Sequence, residues 1–164
     1  MNKYFSLLNQ HIFSKINSNE ILITNISGEN SQFIRFNHSK VRQTGLIDDL
    51  NFSMTLLSNK KKASIATTLT GNQFQDNKLI ELYFNKLRDD IQNIPVDPFI
   101  VYPDLGKSSK EVYKGELLNF ETSSDYLLPI MQGVDLTGIW ASGKIFSGNG
   151  NSLGLEHWFE TETF

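Results

Sequence analysis

Between Leu50 and Leu56 the sequence alternates without a break: Leu50, Phe52, Met54 and Leu56 are apolar, and Asn51, Ser53 and Thr55 are polar. Strand side chains point to opposite faces in turn, so this period of two demands a strand with one buried and one solvated face. Asn59-Lys60 reads as a tight turn, and Ala63, Ile65, Thr67 and Leu69 continue as the returning partner. A half-buried hairpin needs a cover. Between Phe74 and Ile94, Leu79, Leu82, Tyr83, Leu87 and Ile91 recur at helical spacing, with Ile80 and Phe84 widening the stripe. This helix is expected to lie across the meander and bury Leu50, Phe52, Met54 and Leu56.

The remaining elements follow from the same periods. Tyr4 to Ile16 carries Phe5, Leu8, Ile12 and Ile16 on one helical stripe, flanked by His11, and Asn17-Ser18-Asn19 ends it. Glu20 to Ile26 reads as a strand closed by a turn at Ser27-Gly28-Glu29-Asn30. A hairpin follows over Ser31 to Gln43, turning at Asn37-His38-Ser39, with Phe33, Arg35 and Asn37 on one face and Gln32, Ile34 and Phe36 on the other. Asp48 and Asp49 fall in a loop before the next strand. Pro95, Pro98 and Pro103 mark an extended connection from about Ile94 to Glu116, a length that points to functional or mobile structure. Ser123-Ser124-Asp125 is suited to capping a short helix reaching Gln132, which Pro129 fits poorly. Val134 to Phe146 is strand-like, with Gly138 and Gly143 as candidate bulges, and Leu153 to Thr163 makes a final strand. The fold class is α+β: an antiparallel β-meander packed against amphipathic helices. The expected organisation is one domain over residues 1–164, divided into 1–94, a proline-bearing connection 95–118, and a short helix with a terminal hairpin over 119–164.

Composition narrows the chemistry. With 39% hydrophobic and 20% charged residues, the 164-residue chain has the profile of a folded soluble domain. A formal net charge of −3 gives no basis for a sequence-independent grip on phosphates, and Lys60, Lys61 and Lys62 read as a solvated turn. The chain has no Cys, which excludes disulfides, Cys-ligated zinc and a thiol nucleophile of its own. The N-terminus is too broken by polar residues for a signal peptide, and no stretch has the roughly 20 apolar residues of a membrane span. A soluble cytoplasmic protein is expected, with neither nucleic acid nor membrane as partner.

The motifs weigh against catalysis by this chain alone. Gly148-Asn149-Gly150-Asn151-Ser152-Leu153-Gly154 suggests a phosphate loop, but it leads into an alternating strand instead of a helix, which favours a hairpin connection. His157 and Glu160 have metal-like spacing, yet on a strand they point to opposite faces. Ser142 lacks an evident general base, and there is no G-x-S-x-G elbow. Asp89 and Asp90, adjacent on a helix, diverge by about 100° and do not form an acid–base pair.

Two stretches together carry a resemblance. Phe33-Ile34-Arg35-Phe36-Asn37-His38-Ser39-Lys40-Val41-Arg42-Gln43 resembles the arginine-containing hairpin near the start of TldD/PmbA proteins, once called modulators of DNA gyrase. Gly138-Ile139-Trp140-Ala141-Ser142-Gly143, followed by Asn151-Ser152-Leu153-Gly154, resembles that family's later Gly-containing strand and Asn-Ser-x-Gly turn. The resemblance covers Ile21 to Phe164. It implies the N-terminal domain of a metal-dependent peptidase system acting on unfolded peptides, often as a two-subunit assembly. The family's zinc is held by an H-E-x-x-x-H helix and a C-terminal domain, both expected to be absent here. No catalytic residue, metal ligand or cofactor is therefore assigned to this chain.

The expected role is a substrate-cleft and subunit-interface domain that is not catalytic by itself. Its partners would be a homo- or hetero-oligomer with a TldD/PmbA-like subunit and an extended peptide. The candidate substrate-binding residues are Arg35, Arg42, Gln43, Asn151 and Ser152. The alternative is a non-enzymatic interaction or dimerisation domain.

Overall fold

The structure is a computed structural model that describes residues 1–103 and 106–163. Its elements in chain order are α1 (Asn2–Phe13), β1 (Glu20–Asn37), β2 (Lys40–Ser58), β3 (Lys61–Thr68), α2 (Gln73–Gln92), β4 (Ser109–Tyr113), α3 (Ser123–Ile130), β5 (Gly138–Asn151) and β6 (Glu156–Thr163). The strands form one mostly antiparallel sheet in the order β3-β2-β1-β5-β6-β4, against which the three helices pack. The α+β class expected from the sequence is the class observed. Residues group into two compact units. The first comprises Met1–Ser27, Leu50–Glu111 and Ser147–Phe159, and the second Gly28–Asp49, Val112–Phe146 and Glu160–Phe164.

In the first unit the opening alternation does what its period requires. Phe52 pairs with Thr67, Met54 with Ile65 and Leu56 with Ala63, which puts the apolar rows of β2 and β3 on one face. Phe52, Met54 and Leu56 are buried, whereas Leu50 is only half-buried. The β2–β3 turn holds Asn59 and Lys60 at φ 50° and 57°, the left-handed pair that a two-residue hairpin needs. Helix α2 packs on α1 and β3. Its buried stripe is Asp76, Ile80, Phe84, Leu87 and Ile91, while Leu82 is 64% exposed. The stripe is therefore rotated from the one the apolar count favours. Asp76 sets that rotation: Tyr4 Oη donates to its Oδ2 at 2.5 Å, and Thr70 N and Oγ1 both donate to Oδ1 at 3.0 Å. A buried carboxylate is tolerated only with this kind of satisfaction, so the face bearing Asp76 turns inward. Burial, followed by the Asp76 hydrogen bond and charge, pushes the Tyr4 phenol well above its ordinary range.

Glycines decide where α1 lies. A Cβ on Gly148 would meet Phe5 Cε1 at 2.8 Å and Ile26 Cγ2 at 2.9 Å, and one on Gly150 would meet Asn9 Nδ2 at 2.6 Å. Phe5 and Asn9 are four apart on a helix and Gly148 and Gly150 two apart on a strand, so one helical face rides on a strip of bare backbone. Trp158 on β6 completes the contact, its ring 6.2 Å from that of Phe5 and inclined by 34°. The Gly148–Asn151 stretch is thus the end of strand β5, and the turn is confined to Ser152–Gly154, with Gly154 at φ 99°.

The expected turn at Ser27–Asn30 does not exist, because β1 runs through it. Gly28 serves proximity instead: a Cβ there would lie 2.4 Å from both Asp49 O and the Phe146 ring. Asp48 and Asp49 are likewise strand residues of β2. Gly45, inside β2, lies under the Phe33 ring, an atom of which is 2.4 Å from where a Cβ would be. The proline-bearing connection is not wholly extended coil, since its later part supplies edge strand β4. Helix α3 starts from Thr122 with no side-chain cap, and Ser123 Oγ donates instead to Phe120 O at 3.0 Å. Pro129 is inside α3, one residue from its end, where few helical bonds remain to be lost. Met131 with Ile34 and Phe36 forms the second unit's core cluster, flanked by Leu127, Leu128 and Trp140.

Substituting Gly148→Ala is expected to lower stability by about 1–3 kcal/mol through overpacking against Phe5 and Ile26, read from urea denaturation. An independent anchor is Glu20, whose carboxylate accepts from Arg88 Nε and Nη2 at 2.8 and 2.7 Å and from Asn17 N at 2.8 Å. Burial works to raise this carboxyl, but the Arg88 and Asn17 hydrogen bonds outweigh it and hold the pKa below the usual carboxylate range. A depressed folded-state value means the contribution is present above the unfolded carboxylate pKa and is lost as pH falls through the folded one. Glu20→Gln should therefore cost about 1.5–3 kcal/mol at neutral pH, and the gap to wild type should close on acidification.

Candidate functional site

The sequence-derived candidates separate into two groups. In the second unit, the β1–β2 hairpin turns at His38 and Ser39, with φ of 50° and 53°. Asn37 is the last residue of β1, so the positive φ falls on the two residues after it. Gln32, Ile34 and Phe36 are buried, and Arg35 is exposed on the opposite face. The Arg35 guanidinium sits 5.5 Å from the Phe33 ring centroid, and Nη1 donates to Gln43 Oε1 at 3.2 Å. Arg35 and Gln43 are thus together, with the ring fixing the guanidinium by cation–π attraction. Arg42 is exposed on the same hairpin, and Val134, Asp135 and Leu136 brace its tip: Ser39 N donates to Leu136 O at 2.9 Å and His38 Nδ1 lies 2.9 Å from Asp135 Oδ1.

Asn151 and Ser152 belong to the first unit, where both serve the backbone. Asn151 is 3% exposed, and its Oδ1 accepts from Leu153 N at 3.0 Å and Leu155 N at 3.2 Å. Ser152 Oγ accepts from Leu22 N at 3.1 Å, and Ser152 N donates to Leu22 O at 2.9 Å. These bonds hold the β5–β6 turn in shape and tie it to β1.

Two further features of the first unit, a polar assembly and a mixed polar and apolar groove, were not marked as candidate sites from the sequence. The first is internal: Glu156 accepts from Ser6 Oγ at 2.5 Å and Asn9 Nδ2 at 3.1 Å, and Thr24 Oγ1 donates to Asn9 Oδ1 at 2.7 Å. Its only sequence signal was Asn9 on the apolar side of α1, between Leu8 and Ile12. The second is a groove of about 790 Å³ on the open face of the sheet, bordered by Asn25, Asn51, Ser53, Asn149, His157 and Phe159. Asn149 Nδ2 donates to Asn25 Oδ1 at 2.6 Å, and Asn25 Nδ2 donates to Ser53 Oγ at 3.4 Å, a row running across β5, β1 and β2. Ser109 Oγ lies 2.7 Å from His157 Nδ1. The signal for this face was the polar half of each strand's alternation.

Among the described residues no cluster of three or more His, Asp or Glu side chains could hold a metal ion. His11 is engaged with Glu81 at 2.6 Å. Among the described residues no helix is long and apolar enough to cross a membrane.

No protein-family model matches the sequence, and no curated protein does. Solved structures do match. The chain superposes on a proposed modulator of a DNA gyrase from Thermotoga maritima with a TM-score of 0.62 at 14% identity, covering 98% of this chain and 37% of that one. It superposes on TldE from Thermococcus kodakarensis with a TM-score of 0.65 at 14% identity, covering 97% and 37%. A proposed modulator of DNA gyrase from Bacteroides thetaiotaomicron gives 0.62 at 16% identity, covering 97% and 38%. The chain has the fold of part of these TldE and gyrase-modulator proteins. It spans little more than a third of their length.

The two candidate groups should differ in their effect on stability. Asn151→Ala leaves two turn N–H groups without their acceptor and should cost about 1–3 kcal/mol. Arg35→Ala, at an exposed position, should stay within about 0.5 kcal/mol of wild type. Parallel thermal or urea unfolding of the two variants makes the comparison.

Proposed function

We propose that this chain is a TldD/PmbA-like N-terminal domain that shapes the substrate cleft and subunit interface of a metal-dependent peptidase acting on unfolded peptides. The observation that carries this reading is the fold likeness, which takes in 97–98% of this chain and only 37–38% of each relative. Such a domain contributes binding surface, and the metal chemistry comes from a TldD/PmbA-like subunit or domain. Strands β3 and β4 are the sheet's edges, and an edge can hold an extended peptide through main-chain hydrogen bonds. Arg35 with Gln43 and the neighbouring Arg42, in the second unit, are the polar groups proposed to meet the substrate; Asn151 and Ser152 hold the β5–β6 turn of the first unit.

A second reading has its own support. The second unit exposes Tyr126 by 65%, Ile130 by 69%, Val134 by 57% and Ile139 by 62%. Large apolar groups clustered in sequence and left in solvent suit a non-enzymatic interaction or dimerisation domain.

The test is reconstitution with a metal-bearing TldD/PmbA-type subunit and an unfolded peptide. Arg35→Ala combined with Gln43→Ala should lower kcat/KM about tenfold or more, a loss of roughly 1.4 kcal/mol of transition-state stabilisation. Cleavage at an unchanged rate would refute the cleft assignment. Light scattering then separates the readings, because a tight homodimer with no affinity for extended peptide favours the interaction domain.

A further inference from the structure

We propose that the open face of the first unit is a binding site for a neutral polyhydroxylated ligand, a saccharide, held by Asn25, Ser53, Asn149 and His157 with Phe159 beneath it. The groove there, about 790 Å³, lies within the roughly 300–1,000 Å³ usual for small-ligand sites. Its chemistry is selective. Of the residues bordering it only Glu111 is formally charged, with His taken as neutral, and none is Lys or Arg, although 20% of the chain is charged. A solvated sheet face without long charged side chains leaves its hydroxyls and amides accessible, and it offers no counter-charge to a phosphate or nucleic acid.

The groups left in place match hydroxyls. Each Asn amide carries both donors and acceptors, and each Ser hydroxyl does both, which is the capacity of a sugar hydroxyl and not of an anion or a cation. The Ser53–Asn25–Asn149 row is held in position by its own hydrogen bonds of 3.4 and 2.6 Å, so little side-chain freedom is lost when a ligand docks. With His157 Nδ1 engaged by Ser109 Oγ at 2.7 Å, Nε2 is the ring nitrogen left for a ligand hydroxyl. Phe159, 38% exposed, supplies an apolar surface for the C–H face of a pyranose ring. An extended peptide is a poorer fit on this face. Peptide recognition by a sheet uses unpaired main-chain groups, and these lie at the β3 and β4 edges instead of across the interior strands.

The test is amide chemical-shift mapping of the full chain with cello-, malto- and chito-hexaose as probes. Saturable shifts centred on Asn25, Asn149 and His157 are expected for at least one of them, with Kd of about 1 mM or tighter and no dependence on salt. Asn25→Ala should weaken binding about tenfold, and Ser53→Arg should abolish it by filling the groove, both with unfolding midpoints unchanged. The proposal is overturned if none of the three saccharides shifts these resonances, or if the shifts persist unaltered in Ser53→Arg. It is equally overturned if inorganic phosphate or an extended peptide, and not a saccharide, produces them.

Discussion

Helix α1 lies on the sheet at a depth that only bare backbone permits. Phe5 and Asn9 rest where Gly148 and Gly150 have no side chains, and any Cβ there would come within 3 Å of them. Much of the first unit hangs on that contact. It brings Phe5 against Trp158, and it carries Asn9 into the interior, where the amide must find partners. Thr24 and Glu156 supply them. Raising the helix by the width of a methyl group would break the aromatic contact and strand Asn9 and Glu156 in a poorly solvated space together. A buried polar network that is fully satisfied fixes register, and one that is half-satisfied destabilises.

The same strands that bury this relay present a different surface on their other side. Along β5, Gly148 and Gly150 face α1 while Ser147 and Asn149 border the groove; along β6, Glu156 and Trp158 face inward while His157 and Phe159 do not. Function in this protein is therefore best sought on the half of each alternation that folding does not use. The Arg35–Gln43 pair follows the same logic in the second unit, since Gln32, Ile34 and Phe36 do the packing and Arg35 is left to solvent with Phe33 beneath it.

Much of the architecture was legible because period and burial coincide. The β2–β3 hairpin paired as read, down to the Asn59-Lys60 turn, with Phe52, Met54 and Leu56 buried and only Leu50 less covered than expected. Several of the misreadings share one cause, which is glycine taken as punctuation. Gly28, Gly45, Gly148 and Gly150 are all strand residues, each placed where an aromatic ring, a carbonyl or a helix comes too close for a Cβ. Sequence shows that the side chain is missing but not whether a turn or a neighbour requires its absence. The rotation of α2 was missed for another reason: Asp76 counts as polar in any periodicity, yet it is fully buried because Thr70, six residues before it, and Tyr4, from the distant helix α1, satisfy it together. Among the site candidates, Arg35, Arg42 and Gln43 were marked from the hairpin sequence, but that Arg35 meets Gln43 depends on the observed turn at His38 and Ser39. The backbone duties of Asn151 depended on where Leu153 and Leu155 turn back.

By itself the sequence determined the α+β class, most of the element types and the polar and apolar halves of the alternating strands, because these follow from local periods. Tertiary structure alone decided that β1 and β2 run unbroken through their glycines, which face of α2 turns inward, and that Asn25, Ser53 and Asn149 line up across three strands. Those outcomes rest largely on contacts between residues far apart in the chain, 72 positions for Tyr4 with Asp76 and 124 for Asn25 with Asn149. Whether such groups meet is set by strand register and close backbone approach, which no local pattern encodes.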